Sequence, residues 1–215
     1  NVKKSITIAL AKGRLAEQAI DILEQCGIDC EQVKHPERKL VLEDAEGITR
    51  FILVKPTDVP TYVERGVADI GVVGKDTLLE KNPSLYEMLD LGFGKCRLCI
   101  CGFPEQQAAS ITNFNLRVAT KYPNVARSYY EAKGQAIDII YLSGSVELGP
   151  LVGLSDVILD IVESGGTLRA NGLTVLEEIC DVSARLVVNR VSLKTRGERI
   201  RPLIDAMRAV LEGKA

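Results

Sequence analysis

Apolar positions along this chain recur at two spacings, and the alternation between them predicts its elements. Ile6-Thr7-Ile8-Ala9-Leu10 is a short run that predicts a strand, delivered into the turn Ala11-Lys12-Gly13-Arg14. Leu15, Ala19, Ile22 and Leu23 then share one helical face, and Gly27 supplies the stop. Leu40-Val41-Leu42 and Phe51-Ile52-Leu53-Val54 predict strands joined by a polar turn around Asp44 to Gly47. Asp58 is placed to cap a short helix with Pro60 in its first turn, ending at Arg65-Gly66. Asp69 to Gly74 predicts a buried strand, with a helix from about Asp76. A second region opens near Leu91, with strands at 96–102, 116–119 and 137–141, a helix at 124–133 and a strand from Asp156 to Ile161. Thr174 to Cys180 and Ala184 to Asn189 are the last strands. A helix from about Ser192 closes the chain; Pro202 removes one of its backbone bonds and predicts a local kink. Strands alternating with helices predict an α/β fold. No repeat or long linker interrupts them, so any domain boundary is a compact crossover.

Composition narrows this picture. The chain has 215 residues, 46% of them apolar and 26% charged, which excludes a disordered chain and allows one large or two compact domains. A chain of this size buries roughly 70% of its unfolded surface, so the core needs no disulfide or metal. The 27 Lys+Arg against 29 Asp+Glu leave a net charge of −2, which gives no general attraction for nucleic acid or an anionic membrane. A polyanionic ligand must therefore be met by cations concentrated locally. No run approaches the roughly 18 apolar residues of a membrane span. Asn1 to Ser5 leads into the first strand without a secretory apolar segment, so the expected compartment is the cytoplasm. Cys26, Cys30, Cys96, Cys99, Cys101 and Cys180 read as reduced, half-buried thiols. Cys96, Cys99 and Cys101 invite a zinc reading, but His35 is far away and no second C-x-x-C pair exists. A strand with Cys99 and Cys101 on one face and Cys96 on the other accounts for them better, and no protein-held metal is expected.

The sharpest chemical signal is Asp160-Ile161-Val162-Glu163-Ser164-Gly165-Gly166-Thr167. A buried strand delivers the chain to a turn in which two glycines let backbone approach a ligand. Successive N–H groups, with the Ser164 and Thr167 hydroxyls, can wrap a phosphate without formal positive charge. Asp160 and Glu163 beside such a nest call for a ligand that needs acceptors, and ribose hydroxyls are one. Together these describe a ribose 5-phosphate site. The plain alternative is a β-turn before a short helix. Lys12-Gly13-Arg14, Arg38-Lys39, Lys55 and Arg97 stand at strand ends or within strands, where α/β sheets bind ligands, although each alone reads as a surface cation. Asp69 opens a strand whose neighbours are apolar; Asp there also forms turns.

Several longer segments join these signals: Ala11 to Leu15, Arg38-Lys39-Leu40, Lys55 to Pro60, Ala68 to Asp76, Leu91 to Leu98, Arg117 to Pro123, Gly144 to Leu148, Asp160 to Thr167 and Ala170 to Leu173. In order and spacing, from Ile6 to about Leu211, the series resembles the short form of the ATP phosphoribosyltransferase family, the first enzymes of histidine biosynthesis. The resemblance implies a two-domain type II periplasmic-binding-protein-like fold with an inter-domain active-site cleft. It implies one domain from 1–90 plus 180–215 and a second from 91–179. It also implies a regulatory subunit resembling histidyl-tRNA synthetase in a hetero-octamer, and a homodimer of the catalytic chain.

The implied reaction joins adenine N1 of ATP to C1 of phosphoribosyl pyrophosphate and releases pyrophosphate, with Mg²⁺ on the substrate phosphates. By the family pattern Arg14 and Arg38 meet the pyrophosphate or triphosphate as catalytic residues. Asp160, Glu163, Ser164, Gly165, Gly166 and Thr167 hold phosphoribosyl pyrophosphate. Lys12, Lys55, Asp69, Gly71 and Arg97 line the nucleotide site, and Lys121 and Glu147 are further contributors from the second domain. Two rivals stand beside this. A solute-binding module shares the implied fold but would normally be exported. A type I phosphoribosyltransferase places two acidic residues side by side before its loop, whereas Ile161 and Val162 separate Asp160 from Glu163.

Overall fold

The computed structural model describes residues 5–213; Asn1–Lys4, read above for an export signal, lie outside them. In chain order come β1 (Ile6–Ala11), α1 (Arg14–Gln25), α2 (Glu31–Lys34), β2 (Val41–Glu43), β3 (Thr49–Val54), α3 (Val59–Glu64), β4 (Ile70–Gly74), α4 (Lys75–Lys81) and β5 (Tyr86–Asp90). There follow β6 (Cys96–Gly102), α5 (Ala109–Thr112), β7 (Leu116–Thr120), α6 (Pro123–Ala132), β8 (Ile137–Tyr141), α7 (Leu148–Leu151), β9 (Val157–Val162), α8 (Gly166–Ala170) and β10 (Thr174–Val182). The last are β11 (Ala184–Val188), α9 (Arg190–Thr195) and α10 (Gly197–Glu212). Contacts divide the chain into two units, one running to Gly94 and resuming at Ser183, the other spanning Lys95–Val182.

The first unit is built on a sheet of order β2-β3-β1-β4-β11-β5, in which β3, β1 and β4 are parallel. β1 is buried along its whole length because both its faces are covered, which explains its unbroken apolar run. Ile6, Ile8 and Leu10 pack with Ala19, Ile22 and Leu23 of α1 and Ile200, Ile204 and Met207 of α10, whereas Ala9 and Ala11 face Val59 and Val63 of α3. Burying each large aliphatic side chain contributes about 1.5–3 kcal/mol.

The second unit holds a sheet of order β10-β6-β9-β7-β8, with β9, β7 and β8 parallel. After β8 the chain recrosses β7 to place β9 on its other side, and such a reversal leaves a ligand crevice at the carboxyl ends of β7 and β9. Leu98, Val118 and Leu159 pack under Tyr122, Ala126 and Tyr130 of the α6 region; Cys99, Cys101, Ile158 and Val162 pack with Leu168 and Leu173 on the other face. The thiols divide between the faces as their alternation predicts, Cys96 packing on the α6 side.

Four details depart from the pattern reading. β5 was hidden because Leu89 is its one fully buried residue, at a sheet edge paired only to β11. The unit boundaries fall later than 90 and 179. β10 stays paired to β6 as far as Val182 beside Cys96, and Leu91 and Phe93 exchange backbone bonds with Ala184 of the first unit. The closing helix is two, separated at Arg196, and begins at Asn189, whose side chain accepts from the N–H groups of Val191 and Ser192. Asp58 precedes α3 without a side-chain capping bond.

Candidate active site

β9 carries Asp160 opposite Cys99 of β6 and ends at Val162, so Glu163 is the first residue beyond the sheet. The loop must then turn sharply into α8. Gly165 makes the turn with φ 77°, in the left-handed region that strains any L side chain, and α8 starts at the next residue. The first N–H groups of a helix have no intrahelical acceptor and carry partial positive charge, so Gly166 and Thr167 offer donors to an anion. The loop carbonyls are held elsewhere: Arg169 Nη1 donates to Ser164 O at 2.9 Å, Arg169 N to Gly165 O at 3.0 Å and Asn171 Nδ2 to Thr167 O at 2.9 Å.

This turn closes one side of a cavity of about 450 Å³ lined by Glu147 and by residues 160–168. The six residues expected to hold phosphoribosyl pyrophosphate are thus brought together. Val162 and Leu168 are buried and anchor the loop at both ends. Thr120 Oγ1 donates to Leu159 O at 2.7 Å and accepts from Tyr122 N–H at 2.8 Å, tying the ends of β7 and β9 together. Glu147 joins the lining because Val146 beside it is buried and Gly149 lies tight on Ser155 and Ala119, where a Cβ would come 2.5 Å from Ser155 Oγ. Lys121, with its ammonium 6.0 Å from the Tyr122 ring centre, is not among the lining residues.

Glu147, Asp160 and Glu163 make the charged lining acidic, with no Lys or Arg among the described lining residues. Beneath it burial pushes the Cys101 thiol up to about 12, so Cys101 stays protonated packing material at neutral pH. Among the described residues no three His, Cys, Asp or Glu side chains converge to hold a metal ion. No described helix is long and apolar enough to cross a membrane.

In the first unit the sheet register gathers four of the expected cations at one end. Ala11 lies beside Val54, so Lys12 and Lys55 leave adjacent parallel strands together, and Arg14 opens α1 directly after. Gly13 makes the intervening turn at φ 127°. Arg38 reaches the same end from the other direction: β2 is antiparallel to β3, and Leu53 N donates to Leu40 O at 2.8 Å. All four are exposed.

The remaining three expected nucleotide contacts do other work. Asp69 is only 1% exposed, and its carboxylate accepts from Thr7 N at 2.8 Å, Ser192 Oγ at 2.6 Å and the Arg196 guanidinium. Gly71 is buried where α3 crosses β4, and a Cβ there would come within 2.7 Å of Val63 and 2.8 Å of Val59. Both positions thus make structural contacts of their own. Arg97 pairs with Glu178 of β10 and stands opposite Val162, beside the strand end that feeds the loop but outside the cavity lining. Sequence alone could not foresee these contacts, because the partners lie far along the chain.

Comparison with known proteins identifies the family. The HisG profile, ATP phosphoribosyltransferase, matches residues 55–209. The chain belongs to the ATP phosphoribosyltransferase family. It is 58% identical to the ATP phosphoribosyltransferase of Lachnoclostridium phytofermentans over 97% of this chain and 98% of that one. It is 56% identical to that of Ruminiclostridium cellulolyticum over 94% and 95% of the two chains. Among solved structures it is similar to a chain of the ATP phosphoribosyl transferase (HisG:HisZ) complex from Thermotoga maritima, with TM-score 0.84, 38% identity, and 97% and 99% of the chains covered. The ligand-binding core of GluR0 from Nostoc punctiforme (TM-score 0.60, 12% identity, 97% and 94% covered) shares the fold alone. So does the binding protein ArtJ from Geobacillus stearothermophilus (TM-score 0.57, 11% identity, 98% and 90% covered). The fold of this family member is therefore α/β with two sheets, of the type II periplasmic-binding-protein-like kind.

Proposed function

We propose that this chain transfers the phosphoribosyl group of 5-phosphoribosyl 1-pyrophosphate to N1 of the adenine of ATP, the first step of histidine biosynthesis. The C1–oxygen bond to pyrophosphate breaks, the leaving pyrophosphate keeps the electron pair, and the adenine N1 lone pair forms the new bond to C1. The reaction needs alignment and charge stabilisation and no covalent enzyme intermediate. The observation that carries this reading is the cavity at the end of β9, where a glycine turn and a helix start face carboxylates. The 5-phosphate rests on the N–H groups from Gly165 to Thr167 with the Ser164 and Thr167 hydroxyls. Asp160 and Glu163 accept from the ribose 2- and 3-hydroxyls, and Glu147 adds a third acceptor at the rim.

Arg14 and Arg38 meet the pyrophosphate or triphosphate, where the planar guanidinium fork suits phosphate oxygens. Lys12 and Lys55 serve the nucleotide. Mg²⁺, when bound, offsets charge on the pyrophosphate. The donor set fits an ion carried mainly by substrate oxygens and water, with Asp160, Glu163 and Glu147 as the available carboxylates and no protein cage among the described residues. The partner is a regulatory subunit resembling histidyl-tRNA synthetase, in a hetero-octamer that also contains homodimers of this chain; the Thermotoga maritima HisG:HisZ complex supports this assembly.

The test mixes this chain with ATP, phosphoribosyl pyrophosphate and Mg²⁺, with and without the regulatory subunit. Ultraviolet absorbance of the N1-substituted adenine should rise as pyrophosphate appears. Binding of either substrate without product in both mixtures rejects the assignment.

A further inference from the structure

Among the charged groups around the loop, Arg169 has a geometry that the phosphoribosyl site does not use directly. It is not among the residues lining the cavity, yet its guanidinium reaches back along α8 to Ser164 O at 2.9 Å. The same nitrogen lies 3.0 Å from where a Cβ on Gly165 would stand, so the guanidinium packs directly against the turn. A trans peptide holds its C=O and the following N–H on opposite sides. A donor that fixes Ser164 O therefore also fixes the direction of the Gly165 N–H, on the opposite side of the same peptide. Gly165 is where such control is needed, because glycine at φ 77° has little stiffness of its own.

We propose that Arg169 is a positioning residue for phosphomonoester binding: it works through the Ser164–Gly165 peptide, holding the first N–H of the anion nest toward the ligand, and does not touch the phosphate. The proposal rests on the phosphoribosyl reading of this loop. It explains why a cation lies so close to a phosphate site without entering its lining.

The test uses the complex of this chain with its regulatory subunit. Arg169→Met, which keeps the aliphatic stem, should raise KM for phosphoribosyl pyrophosphate about tenfold, the effect of one lost charge-assisted hydrogen bond. It should leave KM for ATP, kcat and the melting temperature close to wild type, and it should weaken ribose 5-phosphate binding in calorimetry to the same extent. Arg169→Lys keeps the charge but not the planar fork and should recover only part of the loss. Full recovery by lysine overturns the geometric role, because it shows that charge alone suffices. Thr167→Ala separates the two levels. If it raises KM for phosphoribosyl pyrophosphate while Arg169→Met leaves it at the wild-type value, the role of Arg169 is overturned and the site stands. If neither raises it, both fall. Should Arg169→Met lower the melting temperature, Arg169→Gln is read by the same criteria.

Discussion

At the scale of single residues, Asp69 shows how a carboxylate that looks like a ligand can be a structural hub. Its two oxygens gather the backbone N–H of Thr7 at the start of β1, the Ser192 hydroxyl of α9 and Arg196 at the joint before α10. The acid holds together parts of the chain more than a hundred residues apart. Removing it would bury an unmatched N–H and hydroxyl and strand a half-exposed arginine. Asp69→Ala should lower the unfolding free energy by about 3 kcal/mol, because it leaves a buried N–H and a buried hydroxyl unsatisfied. Urea denaturation of the whole chain measures this. A loss below about 1 kcal/mol, the net value of an ordinary hydrogen bond, would show that the hub is not cooperative.

At the scale of elements, periodicity was a good guide wherever one face of an element is buried. β1, β6, β9 and the apolar face of α1 all lie where apolar spacing predicts them, and so does the turn from β9 into the glycine loop. It was a poor guide at edges and joints. β5 buries little, and the break at Arg196 depends on a bond to Asp69 that no local pattern contains. The site divides in the same way. The loop residues 160 and 163–167 are contiguous enough to be read together, whereas the packing duties of Asp69 and Gly71 and the brace at Arg169 depend on partners brought in by the fold. The strand that presents the loop has its own lock at the opposite end. Asp156, just before β9, accepts from Arg117 N at 2.8 Å and from the Arg117 guanidinium at 2.9 Å, and these hydrogen bonds hold its carboxyl below the usual carboxylate range. A depressed pKa contributes stability that is present above the unfolded value, about 4, and is lost as the pH falls through the lower folded value. Asp156→Asn should therefore cost about 1 kcal/mol at neutral pH, modest because Arg117 is partly exposed. The gap between variant and wild type should close as the pH falls below about 4. Urea titrations of both proteins across that range decide it, and a gap independent of pH would place the cost in packing instead.

At the scale of the molecule, a net charge of −2 is compatible with two polyanionic substrates because the charges are sorted and not averaged. Lys12, Arg14, Arg38 and Lys55 stand at one end of the first sheet by strand register, while the cavity in the second unit presents carboxylates and backbone N–H groups. The sorting suggests a division of labour. On the proposed reading, backbone donors and carboxylates would bind the ribose phosphate, a ground-state task that affinity reports. Guanidinium groups would answer the charge that grows on departing pyrophosphate, a transition-state task that turnover reports. Arg14→Gln and Arg38→Gln should each lower kcat about a hundredfold, the usual effect of losing one donor to developing charge, and change KM for phosphoribosyl pyrophosphate much less. Thr167→Ala should do the reverse, raising that KM about tenfold with kcat nearly intact, as expected when one hydrogen bond to a charged group is lost. Steady-state kinetics of the complex with its regulatory subunit separate the two effects, and arginine variants that changed only KM for phosphoribosyl pyrophosphate would move both groups to the same task.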